Sequence, residues 1–462
     1  MNFKAHHKFV HRGKRYVLNI EAMLTSMICD ETWWALHAAP SFTFSGLSQE
    51  AGRDLQLLDL IASESKDVVE SANPTSTPIR NIALFITQNC NLACIYCYGK
   101  DGGYGSSGHM NSTTARMAID WLIKQSGDVK TLGIAFFGGE PLLNFSLMKK
   151  VVEYARQRGS EFNKDFEFSI TTNGSLLTDE KIAFLNENKI NPIVSFDGSK
   201  DVQDTQRPFK DGQGSYDVIE PKIRKLLNTF PNATARATLK GATKPKEVTV
   251  ALNKIGFRST HMTIASPSLF EVPDKRMGEE CGSQSMTTDL DRDAEDLLQS
   301  IKSRDVDRLR WLKENSDLVS RLTAFFNKEK KYFGCGAGRA YVGVDNTGGV
   351  FLCARFVGKA EYKLGNVFEG QPSRGKYMNS PIRTVEECKN CFARYICGGG
   401  CYHENVGASG AVDKPSVSYC RIMRRSVEMV AYVASQLTDG DRKYLSQSGI
   451  VRSRSCPFDF PA

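Results

Sequence analysis

No uninterrupted apolar run of about 18 residues occurs in this chain of 462, which excludes a helix that spans a membrane. No block of five or six consecutive Lys or Arg appears either, although the net charge is +8. The positive excess is therefore spread out rather than gathered into a nucleic-acid patch, and such a mild field suits an acidic peptide equally well. The stretch Met1 to Arg12 lacks the apolar core of a secretion signal, so a cytoplasmic protein without membrane or nucleic-acid partners is expected. With 41% hydrophobic and 24% charged residues the chain can bury a core, which excludes a disordered tail or a collagen-like fibre. Its length corresponds to roughly three domains of about 150 residues.

Cysteine, by contrast, is abundant. There are 13, and only Cys29, Cys281 and Cys456 fall outside two spaced groups. Disulfides are rare in a reducing compartment, so clustered thiols there point to metal. The chain reads as a metalloprotein with several centres.

The chain divides by pattern. Lys8 to Ile20 alternates apolar residues around a His-Arg-Gly-Lys turn and predicts a β-hairpin; Thr32 to Ala38 and Leu55 to Ile61 have helical spacing. Ser71 to Pro78 is a run of turn formers and reads as a linker, so residues 1–75 form a separate small unit. Strand and helix then alternate. Strands are expected at Ile82 to Thr87, Leu132 to Phe137, Phe166 to Thr171, Pro192 to Phe196, Thr234 to Leu239 and Met262 to Ala265. Helices are expected from Ser112 (as N-cap) to Gln125, Asn144 to Gln157, Thr178 to Asn188 and Tyr216 to Asn228. Six βα units imply a parallel sheet, barrel-like or partly open, with its chemistry at the C-terminal strand ends. Residues 268–330 are helix-rich, with runs at Asp289 to Ile301 and Val306 to Leu312; from Tyr332 onward Gly and Cys dominate, so metal centres are expected to hold that region together.

Cys90, Cys94 and Cys97 follow the first of these strands in Cys-x3-Cys-x2-Cys spacing. Three thiolates on one loop can hold three irons of a [4Fe–4S] cube and leave the fourth open, whereas structural zinc normally takes four protein ligands. Here the sequence resembles the radical S-adenosylmethionine (radical SAM) enzymes, in which such a loop follows the first barrel strand and an aromatic precedes the third cysteine, as Tyr96 does. Further features recur in order at strand ends: Gly138-Gly139-Glu140-Pro141, then Thr171-Thr172-Asn173-Gly174, then Ser195-Phe196-Asp197-Gly198, and Arg236 in the fifth strand. The resemblance implies that the glycine-pair turn contacts the SAM amino group, and that Thr172, Asn173, Ser195 and Asp197 contribute to the same pocket. It implies that Arg236 pairs with the SAM carboxylate. It also implies reductive cleavage of SAM to a 5′-deoxyadenosyl radical that removes hydrogen from a C–H bond.

The second group comprises Cys335, Cys353, Cys388, Cys391, Cys397, Cys401 and Cys420, with Cys353 closing a Gly-x4-Cys. Cys388, Cys391, Cys397 and Cys401 taken alone also fit a zinc ribbon, and hence a non-catalytic binding module. The whole set is similar to the SPASM extension of peptide-modifying radical SAM enzymes. By that resemblance Cys388, Cys391, Cys397 and Cys420 hold a distal auxiliary cluster, and Cys335, Cys353 and Cys401 a proximal one. Three [4Fe–4S] clusters are then expected. Gly336 to Val344 lacks the extra cysteine of fully ligated members, so a non-cysteine group or a remote thiol completes the proximal cluster, or an iron stays open for substrate.

The expected fold class is α/β: a partial (β/α)6 radical SAM barrel, a small N-terminal winged-helix-like peptide-binding module and a C-terminal Cys-rich SPASM domain. The expected divisions are a leader-recognition-like module at 1–75, the core at 76–267, a helical bridge at 268–330, the auxiliary-cluster domain at 331–434 and a tail at 435–462. Within the SPASM group, anaerobic sulfatase maturases carry a general-base Asp directly after the Gly-x4-Cys cysteine, and this chain has Ala354. Thioether-forming peptide maturases instead resemble its Cys353-Ala354-Arg355-Phe356-Val357-Gly358 and Lys363-Leu364-Gly365-Asn366. The expected activity is a crosslink, a Cys thioether, in a ribosomally made precursor peptide with a leader, fed by a low-potential donor such as flavodoxin or ferredoxin. Carbon–carbon or ether crosslinks and formylglycine formation are the alternatives, and a structural cap is the alternative for the N-terminal module. His6 and His7 read as an ordinary polar terminus, and Cys281 and Cys456 as spare thiols.

Overall fold

The computed structural model describes residues 3–37, 46–61, 77–240, 243–265 and 281–451. The expected Ser71 to Pro78 linker falls mostly outside these residues, as does Cys456.

The N-terminal unit is a three-stranded antiparallel sheet in the order β1-β2-β3, with β1 at His6–His11, β2 at Lys14–Asn19 and β3 at Leu24–Met27. Two helices complete it, Asp30–Ala35 and Gln49–Leu57. The hairpin is as expected, with His11 opposite Lys14; β3 was not foreseen, because Leu24 to Met27 has no alternation of its own. Successive side chains of β2 serve different cores. Val17 packs inward with Ile28, Leu55 and Leu58, while Tyr16 and Leu18 join Phe9 against Met423, Val427 and Val430 of the C-terminal helix Val417–Ser435. The unit is therefore docked, not separate. His6 and His7 are not a loose terminus either: both lie in β1, and the His7 ring stacks on Phe392 at 3.4 Å.

The central sheet has nine strands in the order β12-β11-β10-β4-β5-β6-β7-β8-β9. Six run parallel in chain order: β4 (Asn81–Thr87), β5 (Thr131–Gly138), β6 (Asp165–Thr172), β7 (Ile190–Ser195), β8 (Thr234–Leu239) and β9 (Ser259–Ile264). β4 is buried on both faces, as a parallel strand under helices must be. Ile82, Leu84 and Ile86 face the large core under the helices, whereas Ala83 and Phe85 face a smaller interior cluster with Tyr104, Phe351, Ala354 and Val357. The first crossover helix, Ser112–Gln125, is capped by Asn111 accepting from Thr114 N at 2.8 Å, so Ser112 is its first helical residue rather than the cap.

β10 (Tyr341–Val344) pairs parallel with β4, and β11 (Gly349–Phe351) and β12 (Lys363–Asn366) continue antiparallel from it. The cysteine-rich region thus shares the main core through Val342, Val344, Val350 and Leu352, and metal alone does not hold it. The bridge is the helices Cys281–Ser303, Val306–Asn315 and Asp317–Phe326. The stretch from residue 435 is no tail up to residue 451: it contains the helix Asp439–Gln447 and buries Leu437, Leu445, Ile450 and Val451. No helix among the described residues is long and apolar enough to cross a membrane.

Candidate active site and metal centres

The expected pocket residues gather at the C-terminal edge of β4 to β8. The Cys90 loop leaves β4 and presses directly on the turn after β5. A Cβ on Gly139 would lie 2.2 Å from Asn89 O, and one on Gly138 (φ +132) 1.9 Å from Thr87 O. Backbone contact this close admits only glycine, which gives the glycine pair a packing reason. The loop is pinned from its other side as well, Ala93 N donating to Pro208 O at 2.8 Å and Ile95 N to Gln206 O at 3.0 Å.

Glu140 is fully buried and braces two strand ends. Its carboxylate accepts from Leu142 N at 3.0 Å, Thr172 Oγ1 at 2.8 Å and Asn173 N at 2.7 Å. Burial raises its pKa against these donors. Asn173 donates to Asn91 Oδ1 at 3.0 Å and approaches Cys90 Sγ at 3.9 Å. Asp197, also fully buried, accepts from Tyr96 OH, from Thr238 N at 2.9 Å and from Arg207. Ser195 pairs directly with Arg236 across β7 and β8. Burial and the neighbouring Arg355 hold the Arg236 pKa down, and no carboxylate among the described residues forms an ion pair with it. It is a buried cation near Tyr98 and Tyr341 of the interior cluster.

The thiols fall into three constellations. Burial is the largest cause of the raised pKa of Cys90, Cys94 and Cys97, taking Cys90 to about 12 and Cys94 to about 11, and the neighbouring thiols add to it at Cys90 and Cys94. Cys335 and Cys401 lie near Cys353, with Cys335 pushed up to about 11 by burial and then by Cys401. Cys388, Cys391, Cys397 and Cys420 line one small, partly open cavity of about 30 Å³. The two C-terminal sets interlock through glycine. A Cβ on Gly398 (φ +70) would sit 2.3 Å from the Phe333 carbonyl, so the Cys397–Cys401 loop rests on the backbone of the segment bearing Cys335 without side chains between.

Buried thiols held this far above neutrality become thiolates only when strong positive charge arrives, as iron supplies. Among the described residues no three His, Cys, Asp or Glu converge closely enough for one metal ion. The three constellations hold three, three and four thiols. Cys29 stands apart, its Sγ 3.1 Å from Thr32 Oγ1.

Sequence reasoning missed several residues. Arg207, one tenth exposed at most, joins Asp197 to the cysteine loop; only its position ten residues after Asp197 marks it. Arg355, read in the sequence only as part of the run after Cys353, pairs with Glu404 at 2.9 Å and lies over the Tyr98 ring. His403 is buried between Tyr98 and Phe356 with neither ring nitrogen hydrogen-bonded, and burial followed by Arg355 lowers its pKa to about 3.

Residues 84–249 match the Radical SAM superfamily. An uncharacterized protein of Methanocaldococcus jannaschii is 36% identical over 41% of this chain, and the match spans 64% of that relative's length. A cysteine-type anaerobic sulfatase-maturating enzyme of Clostridium novyi is 24% identical over 76% of this chain and 96% of its own. Among solved structures, native anSMEcpe with bound AdoMet and Kp18Cys peptide superposes with a TM-score of 0.63 at 18% identity, covering 80% of this chain and 99% of that one. The similarity establishes a shared fold.

Proposed function

We propose that this chain, which carries a radical SAM domain, is a peptide maturase that installs a crosslink in a ribosomally made precursor. The observation that carries this is the triple constellation of thiols, one at the C-terminal edge of the parallel sheet and two in the appended region, on either side of one aromatic interior. Tyr98, Tyr104, Phe137 and Tyr341 line that interior, between the Cys90 loop and Cys353. Cys90, Cys94 and Cys97 hold the SAM-binding cluster. Cys335, Cys353 and Cys401 hold the proximal cluster, and Cys388, Cys391, Cys397 and Cys420 the distal one. When bound, SAM and its cluster supply a 5′-deoxyadenosyl radical able to take hydrogen from a peptide C–H bond.

The protein's own part is placement. The Gly138 to Pro141 turn receives the SAM amino group, Arg236 its carboxylate, and Tyr96, Thr172, Asn173 and Ser195 shape the pocket. Glu140 and Asp197 act through what they hold, since protein donors already occupy their oxygens. The aromatic interior keeps water from the radical. Within crosslinking, a Cys thioether is our reading. Three thiols at the proximal site leave an iron for a peptide cysteine, and Ala354 offers no base beside Cys353. Leader recognition belongs to the N-terminal sheet, where among the described residues β1 has one strand neighbour, β2, and so offers its other edge to an extended peptide. A low-potential donor such as flavodoxin or ferredoxin feeds the reaction in the cytoplasm.

One specific observation favours a second reading, formylglycine formation: the alignment with a sulfatase-maturating enzyme over 96% of that enzyme's length. Mass spectrometry separates the two. Anaerobically reconstituted protein with SAM, reductant and the precursor should yield a product about 2 Da lighter with one thiol lost to alkylation, whereas formylglycine from cysteine lowers the mass by about 18 Da. A loss of about 2 Da with every thiol still alkylatable defeats the thioether and leaves a carbon–carbon or ether link. A precursor stripped of its leader should turn over poorly.

A further inference from the structure

Arg207 and Asp197 form a buried ion pair beside the cysteine loop. The Arg207 guanidinium meets the Asp197 carboxylate at 3.0 Å through Nε and 3.2 Å through Nη2. Its remaining branch, Nη1, points to Cys94 Sγ at 4.0 Å, and its plane lies over the Tyr96 ring at 5.2 Å. Burying such a pair is costly in solvation, and an apolar pair of similar volume commonly serves stability as well or better. Here the pair is set with care. Asp197 is fixed by Thr238 N, by Tyr96 OH and by its own N–H donating to Gln203 Oε1 at 2.9 Å, and Gln203 is in turn held by Ser215. Arg207 itself lies between the two carbonyls, of Gln206 and Pro208, that anchor the cysteine loop at Ile95 and Ala93 on either side of Cys94.

We propose that Arg207 is a positioning residue that donates a charge-assisted hydrogen bond to the Cys94 thiolate, and so makes the loop's cluster easier to reduce, with Asp197 tempering that charge. The proposal rests on the reading of Cys90, Cys94 and Cys97 as cluster ligands. Reduction adds negative charge to the cluster, and a cation hydrogen-bonded to one of its sulfurs favours the reduced form; hydrogen bonds to sulfur and local charge are established levers on such potentials. Removing the cation and removing its counter-ion should then act in opposite directions. A merely structural pair predicts nothing of the kind.

The test uses the full chain reconstituted anaerobically, following by EPR the reduced-cluster signal that changes when SAM is added. Arg207→Gln should retain the wild-type iron content yet lower the ratio of reduced to oxidised cluster at fixed potential at least tenfold, equivalent to about 59 mV for one electron. Asp197→Asn should raise that ratio, and Arg207→Lys, which keeps the charge, should stay within threefold of wild type. Ratios within twofold for both neutral variants, or shifts of the same sign, overturn the proposal. If Arg207→Gln fails to load iron, Asp197→Asn decides alone, since it leaves the arginine in place. Failure of the underlying reading looks different: iron content in a Cys90, Cys94, Cys97 triple-alanine variant would then equal wild type.

Discussion

Gly139→Ala is the sharpest available probe of the contact between the cysteine loop and the turn after β5. The added Cβ would lie 2.2 Å from Asn89 O, 2.4 Å from Asn89 C and 2.8 Å from Cys90 N. All three are backbone atoms, so no side chain can rotate away. Restoring an ordinary contact needs a separation of about 1 Å between the turn and the loop, at an overpacking cost of about 1–3 kcal/mol. A displacement of that size at a reacting centre is worth about 10²-fold in rate. Both partners of the displaced contact are pocket elements, the loop bearing Cys90 and the turn bearing Glu140. SAM cleavage, followed as 5′-deoxyadenosine formed under dithionite, should therefore fall about 10²-fold. The unfolding temperature should fall by only a few degrees, about 2–4 °C per kcal/mol at sizes below this one. Gly370→Ala is the control, because a Cβ there meets nothing within 4 Å. A Gly139→Ala protein that forms 5′-deoxyadenosine within twofold of wild type, with unchanged stability, would refute the argument from close approach.

Replacing Cys90, Cys94 and Cys97 together by Ala should abolish 5′-deoxyadenosine formation and lower iron from about twelve to about eight per chain, on the order of four per cluster; undiminished cleavage contradicts the assignment. Asp441 predicts a pH signature. Burial opposes its ionisation, yet the hydrogen bonds from Lys302 and Thr438 outweigh this and lower its pKa to about 2. A depressed carboxylate stabilises the fold above its unfolded pKa and loses that contribution as pH falls toward the folded one. Asp441→Asn should thus cost about 1 kcal/mol at pH 7, discounted because Lys302 is partly exposed, and the gap should narrow below about pH 4. Thermal unfolding of both chains from pH 7 to pH 3 checks this, and a gap that widens in acid would contradict it.

The first parallel strands, β4 and β5, were legible because each is an apolar run followed by an amphipathic helix. β10 to β12 were not. They are three or four residues long, and Gly343, Gly349 and Gly365 interrupt them; what makes β10 a strand is the free edge of β4 beside it, a fact of tertiary structure. The helix Pro245–Ile255 passed unmarked for a simpler reason, since it opens on a proline in a polar, lysine-rich stretch. The candidate site divides along the same line. Thiol spacing is local and could be read directly, and the strand-end motifs announce themselves by glycine. Arg207 approaches Cys94 across 113 residues of sequence, and nothing near it announces that contact. His403 was equally silent, because an imidazole two positions after a cysteine carries no mark of its burial.

The docking of the N-terminal sheet changes how its role can be tested. The helix Val417–Ser435 bears Cys420 near its start, and one turn later Arg424, whose positive charge lies beside the Cys391 and Cys420 thiols. Further along, Glu428 takes His7 at 3.0 Å, and the Tyr432 ring packs on Tyr16 and His11. A second junction joins Glu21 to Lys330, Arg394 and Tyr395, beside the same distal thiols. Deleting the module would uncover Met423, Val427 and Val430, at about 1.5–3 kcal/mol for each large apolar side chain returned to water. It would also leave Arg394 without its carboxylate partner beside Cys391 and Cys397. A truncated chain that lost peptide binding would therefore have lost part of its distal site as well. The stripped-leader precursor avoids this confusion, because it leaves every contact of the protein intact and changes only the peptide.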